Sequence, residues 1–273
     1  MFSKQVLRQK CEMLQQQAPL VHCMTNDVVN NFTANVLLAI GAAPAMVMAK
    51  EESADFARIA SALLINVGTL TPELAQSMKL AVQAANESNV PWVLDPVAYG
   101  VLPYRSRFCD ELLALQPAVI RGNAAEIAGL SGLAGEGQSK GVESLLGSDE
   151  AVEYAIDLAR RCKTVVAMTG RIDYVTDGNE VWELENGNVL LTRVTGAGCA
   201  LGAMVAAYCA VCESPMQGSL CALSHMAIAG EIAAERVMGE SKGVGSFAVA
   251  LLDELQKLAQ CDESIKRLNV VRL

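Results

Sequence analysis

The sequence predicts an α/β fold of three layers, with a mostly parallel central sheet covered by helices on both faces. Long amphipathic stretches alternate with short apolar runs bounded by Gly, Pro, Asn or Asp, which is the signature of repeated βα units. The chain is 52% hydrophobic but only 4% aromatic, a composition suited to a core of Ala, Val, Leu, Ile and Met between helices and a doubly buried sheet. At 273 residues the length would allow two domains, yet α/β units of this size often stay whole, so residues 1–273 are expected to form a single domain.

The elements follow in order. Residues 3–17 read as a helix, 19–24 as a strand, 27–40 as a helix and 43–48 as a strand. A helix near 52–61 precedes the apolar strand 62–67, which stops at Gly68. Thr71-Pro72-Glu73 is a helix start, with a capping hydroxyl, proline at the first helical position and an early acid, and the helix runs to Ser88. Next come a strand at 91–94, a helix near 105–115, a strand at 118–120 and a short helix at 124–130.

The Gly- and Ser-rich stretch 131–148 reads as a loop, either a lid or a tolerated surface insertion. A helix at 150–162 leads into a strand at 164–168. Strands 173–176 and 180–184 are joined through Asp177-Gly178, a hairpin signal, and 189–194 reads as a further strand. Helices follow at 199–212, 215–238 and 246–260, with a glycine-rich turn at 239–245. The sheet is therefore expected to be parallel with a short antiparallel patch near 173–193, and no internal repeat is present.

A net charge of −9 argues against a nucleic-acid partner, which needs clustered Lys and Arg. Apolar runs such as 36–48 are broken by Gly41 and Pro44, well short of the roughly 20 residues that cross a bilayer, and residues 1–10 do not resemble a secretion signal. A cytoplasmic protein with reduced thiols is expected, since the nine cysteines are odd in number and scattered. Cys209 and Cys212 form a Cys-x-x-Cys without a second pair, better read as two small core-facing residues of one helix than as a metal or redox motif. His22 and His225 are too few and too separated for a metal cluster.

Ligands of such sheets gather at the carboxyl ends of the parallel strands. Several apolar runs end in polar or glycine-rich residues: Thr25-Asn26-Asp27, Gly68-Thr69, Asp95-Pro96, Arg121-Gly122-Asn123, Thr169-Gly170-Arg171 and Thr195-Gly196-Ala197-Gly198-Cys199. In a parallel sheet these ends converge on one rim. The last segment places glycines and free helix amides where a phosphate could be held, so Gly196, Ala197, Gly198 and Cys199 form a candidate anion hole, although a tight turn would use the same glycines. It is neither a Walker loop nor a dinucleotide fingerprint. Asp95 and Glu126 are hard carboxylates suited to Mg²⁺, but each alone reads better as a turn residue or a first-turn acid.

The stretches VHCMTNDVV from residue 21, GAAPAMVMA from 41, INVGTLT from 65, WVLDPVAYG from 92, IRGNAAEI from 120, DYVTDG from 173 and VTGAGCALGA from 194 resemble, in order and over nearly the whole chain, the hydroxyethylthiazole kinases of thiamine salvage. The resemblance implies a ribokinase-like fold and ATP- and Mg²⁺-dependent phosphorylation of the primary alcohol of 4-methyl-5-(2-hydroxyethyl)thiazole. It implies that Arg121 and Thr169 contact ATP, that Met46 and Gly196 contact the thiazole alcohol with Asn26 and Gly68 lining the same pocket, and that Asp95 and Glu126 organise Mg²⁺. It also implies a homotrimer with active sites near subunit boundaries. Met46 and Met48 by themselves read only as two side chains on one face of a strand.

The wider ribokinase-like pattern has an Asp where this chain, like the thiazole kinases, has Cys199. A free thiol with a pKa of about 8.5 is a poor base at neutral pH, though a helix N-terminus can favour the thiolate. Phosphoryl transfer asks mainly for alignment and charge neutralisation, so the expected role of Cys199 is to orient the hydroxyl and accept its proton late. Two other readings remain open at this point: a nucleotide-dependent lyase acting on a hydrated nicotinamide nucleotide, against which Cys199 argues, and a catalytically silent nucleotide sensor. Hydroxymethylpyrimidine also remains open as the alcohol.

Overall fold

In a computed structural model, which describes residues 2–132 and 148–273, the described strands form one nine-stranded sheet in the order β2-β1-β3-β4-β5-β6-β7-β8-β9. The strands are β1 (Leu20–Met24), β2 (Ala43–Ala45), β3 (Ala62–Asn66), β4 (Trp92–Asp95), β5 (Val119–Asn123), β6 (Val165–Thr169), β7 (Asp173–Thr176), β8 (Val181–Leu184) and β9 (Val270–Arg272). Pairings from β2 through β6 are parallel, and those of β6–β7, β7–β8 and β8–β9 are antiparallel. The α/β class and the two-faced layering expected from the sequence are both found.

Alternation along each strand builds two cores, because successive side chains leave opposite faces of a pleated strand. Val21, Leu64, Val93, Val119 and Ala167 point into one core, beneath helices α1 (Lys4–Gln17), α2 (Asn30–Ile40), α8 (Ala197–Cys209), α9 (Pro215–Gly239) and α10 (Val244–Lys257). Leu63, Ile65, Leu94, Ile120 and Val166 point into the other, beneath α3 (Lys50–Ile59), α4 (Pro72–Glu87), α5 (Pro103–Leu113), α6 (Ala124–Ser131) and α7 (Ser148–Cys162). A last short helix, α11 (Asp262–Ile265), precedes β9. The start read at Thr71 is present: its side chain accepts the Leu74 N–H at 3.1 Å, with Pro72 at the first helical position.

Four expectations need correction. Val189–Arg193 is a 3₁₀ turn rather than a strand: the Asn188 side chain accepts the Leu190 N–H at 3.0 Å and winds the run before any ladder can form. Its place beside β8 is taken by β9, so the antiparallel patch draws its outer strand from the C-terminus. β2 stops at Ala45, and beyond it Met46 packs on the first core and Met48 on the second, so the two methionines do not share a face. Cys209 ends α8 and Cys212 lies past it, so they are not on one helix, and all nine cysteines are free. The expected loop at 131–148 falls almost wholly outside the described residues, whose edges are α6 and α7.

Candidate active site

Because β1 and β3 to β6 run parallel, Asn26, Asn66, Asp95, Asn123 and Thr169 come out at one rim. Asn66 and Asp95 end adjacent strands as a paired couple, and the Asn66 Nδ2 donates to Asp95 Oδ2 at 2.7 Å. Asn26, just past β1, donates from Nδ2 to Asn66 Oδ1 at 3.0 Å and to Cys199 Sγ at 3.5 Å. Gly68 belongs to the same cluster: its N–H donates to Asn66 Oδ1 at 3.0 Å, and a side chain there would collide with Asn26. Asp95 is buried, and burial raises its carboxyl; Arg121 pulls the value back while Glu126 pushes it further up.

Arg121 reaches the rim from β5. Its Nη2 donates to Thr169 Oγ1 at 2.8 Å, its Nη1 lies 3.8 Å from Asp95 Oδ2, and a Cβ on Gly198 would lie 3.3 Å from Nη1. The guanidinium thus occupies the angle between the Asp95 carboxylate and the first turn of α8. Arg121, Asn123, Thr169, Asp173, Gly198 and Leu201 line part of a cavity of about 620 Å³. Asp173 accepts the Gly170 N–H at 2.9 Å and shapes the turn after Thr169; burial pushes its carboxyl up to about 6.

The turn into α8 needs glycine at Gly196, whose φ is +92° and which abuts Val29 and Phe32. Of the four expected anion-hole residues, Ala197 already donates its N–H to Val194 O at 3.2 Å, and Ala200 donates to Gly196 O at 2.8 Å. The amides of Gly198 and Cys199 are the first-turn donors without an intrahelical acceptor, and they carry the positive end of the helix dipole. The Cys199 thiol is nonetheless raised above its usual range. Burial is the largest cause and the Asp95 charge the next, and together they outweigh the lowering contacts with Asn66, Arg121 and Asn26, so the helix start does not make a thiolate.

The chain matches the Hydroxyethylthiazole kinase family over residues 11–261. It is 53% identical over 251 residues to a hydroxyethylthiazole kinase of Tolumonas auensis, covering 90% of this chain and 91% of that one. The chain belongs to the hydroxyethylthiazole kinase family. A solved structure of a family protein from Pyrococcus horikoshii superposes with a TM-score of 0.88 at 38% identity, covering 98% of this chain and 99% of that one. The pyridoxal kinase of Staphylococcus aureus in complex with pyridoxal superposes with a TM-score of 0.59 at 20% identity over 78% of this chain and 87% of that one, a likeness of fold.

The family's two-carboxylate expectation divides here into unequal halves. Asp95 Oδ1 is buried and has no hydrogen-bond partner, a hard oxygen open to a cation or a cation-bound water. Both oxygens of Glu126 are committed, Oε1 to the Ala98 N–H at 3.0 Å and Oε2 to the Asn123 N–H at 2.9 Å, in a capping box completed by Asn123 Oδ1 accepting the Glu126 N–H. Each of these oxygens keeps a lone pair, so Asp95 and Glu126 are carboxylates that would suit Mg²⁺ directly or through water. Among the described residues no three His, Cys, Asp or Glu side chains converge as a metal-binding group.

Met46 lies on the same rim, past the end of edge strand β2 and two strands away from Asn66. The segment that carries it is pinned by His22, whose ring Nε2 donates to Val47 O at 2.8 Å. His225 belongs to the core: its Nε2 donates to Leu255 O at 2.8 Å, so its Nδ1 accepts from Tyr208 Oη at 2.6 Å. Sequence reading missed Asn66, taken as one more residue of an apolar strand. The available signal was a primary amide at the end of Ala-Leu-Leu-Ile, a residue type that is rarely buried without partners.

Proposed function

We propose that the chain transfers the γ-phosphoryl group of ATP to the primary alcohol of 4-methyl-5-(2-hydroxyethyl)thiazole, with Mg²⁺, as a single domain acting in the cytoplasm. The observation that carries the reading is the meeting, at the start of α8, of the Asn26–Cys199 contact on one side and Arg121–Thr169 on the other, an alcohol side and a phosphate side 3.5 Å and 2.8 Å across their own contacts. No helix among the described residues is long and apolar enough to cross a membrane.

In this reading Arg121 and Thr169 hold the triphosphate, and the Gly198 and Cys199 amides take up charge on the transferring group. Met46, Gly68, Asn26 and Gly196 seat the thiazole so that its hydroxyl lies against Cys199. Asp95 and Glu126 organise Mg²⁺, which when bound neutralises phosphate oxygens. The Cys199 sulfur orients the hydroxyl, and only in its thiolate form, which burial makes scarce, does it take that proton, late in the transfer when bonding to phosphorus has acidified it. A homotrimer with sites near subunit boundaries is part of the proposal. Val28, exposed and two residues from Asn26, is the apolar surface such a boundary would cover.

The test is mass-spectrometric product detection after incubation with Mg²⁺-ATP and the thiazole alcohol, with hydroxymethylpyrimidine in parallel. Preferential thiazole phosphate is the expected result. Preferential pyrimidine phosphate would overturn the substrate, and absence of any transfer by folded, ATP-binding protein would overturn the activity.

A further inference from the structure

We propose that Asn66 is a positioning residue of phosphoryl transfer, whose side-chain amide holds Asp95 in one orientation and ties it to the Asn26–Cys199 side of the alcohol pocket. The inference rests on the kinase reading above.

The amide has one orientation. The Gly68 backbone N–H can only donate, so the atom it meets at 3.0 Å is the Asn66 oxygen, and the nitrogen must face Asp95, to which it donates at 2.7 Å. The same oxygen accepts from Asn26, whose amide goes on to Cys199. A fully buried side chain therefore links a carboxylate, a loop glycine and, through one further amide, the thiol. On the opposite side α8 closes in, since a Cβ on Gly202 would lie 3.3 Å from Asp95 Oδ2.

The consequence for Asp95 is a choice between its two oxygens. Oδ2 takes the Asn66 donor, and Oδ1 is left buried and bare, directed to whatever cation or water enters. Arg121 competes for the same Oδ2 from 3.8 Å. Without the amide donor, that carboxylate is free to swing into a direct, bidentate pair with the guanidinium, which would withdraw the free oxygen from the cation and Arg121 from the triphosphate together. Asn66 touches no substrate in this scheme and acts only through Asp95 and Asn26.

Two variants separate positioning from core support. Asn66→Ala removes the donor to Asp95 together with the acceptor for Gly68 and Asn26; Asn66→Ser keeps a small polar group too short to reach all three partners. Folding is checked by circular dichroism, and the readouts are kcat, KM for the thiazole alcohol, and Mn²⁺ affinity by electron paramagnetic resonance with a non-hydrolysable ATP analogue. For each variant that folds, kcat should fall about 100-fold with thiazole KM within about threefold, as for a misaligned but occupied site. Mn²⁺ affinity should fall about tenfold or more, as for loss of a partner that orients a metal-binding carboxylate. A folded variant with wild-type Mn²⁺ affinity, or with wild-type kcat, makes Asn66 a satisfied core amide and overturns the proposal. The Mn²⁺ measurement uses no thiazole, so it decides the Asn66–Asp95 link even if the wild-type protein proves inactive on that alcohol and the kinase reading fails.

Discussion

Gly196→Ala tests whether the start of α8 is held by a conformation and a contact that only glycine allows. At φ +92° an alanine pays the left-handed penalty of about 1–2 kcal/mol. Its methyl would sit 2.9 Å from Val29 Cγ1 and 3.2 Å from Val29 Cβ, and overpacking of this kind costs about 1–3 kcal/mol. The expected loss of stability is therefore about 2–5 kcal/mol, measured by urea unfolding followed through the buried Trp92. Val29→Ala removes Cγ1, the nearer of the two colliding carbons, and keeps Cβ, so the double variant should recover most of the steric part and show a favourable coupling of about 1 kcal/mol or more in a double-mutant cycle. Displacement of the Gly198 and Cys199 amides should also lower thiazole kinase kcat about 100-fold. A Gly196→Ala protein within about 0.5 kcal/mol of wild type, or a coupling near zero, would refute the reasoning.

Two further outcomes follow from the half-buried Cys199 and the buried His225. Cys199→Ala should lower kcat about tenfold or more, whereas Cys199→Asp should preserve or raise activity by supplying an acceptor ionised at neutral pH; full kcat for Cys199→Ala at every pH tested, or complete loss in a folded Cys199→Asp, would count against the proposed proton acceptance. Burial holds the His225 imidazole at about 4 against 6.5 when free, so the folded state keeps it neutral while the unfolded state gains a proton as pH falls below 6.5. Stability should thus be lost on acidification, by about 2 kcal/mol between about pH 7 and about pH 5 from this group, and His225→Gln, which can still accept from Tyr208 and donate to Leu255, should flatten that slope in urea titrations. Identical slopes would refute the assignment.

Much of the fold was legible because it depends on local pattern. Doubly buried strands show as apolar runs such as Ala62–Asn66, and α4 announces itself through Thr71 and Pro72. The ends of those runs also placed Asp95, Arg121, Thr169 and Cys199 on one rim. What escaped depends on partners distant in sequence. Val189–Arg193 has strand composition, but one hydrogen bond to Asn188 turns it. β9 has only three residues and earns its place from β8, some ninety positions earlier. The roles of Asn66 and Glu126 likewise appear only once β3 meets β4 and the Ala98 loop meets α6.

The chain past β2 has a property that residue identity alone does not convey. Met46 enters one core and Met48 the other, with Val47 between them fastened by its carbonyl to His22. Insertion of a single residue between Ala45 and Met46 would carry Met46 one place further along the crossing, away from the core face on which it packs and from its place beside the carbonyl that His22 holds. What is constrained along this crossing is therefore its length as well as the identity of Met46.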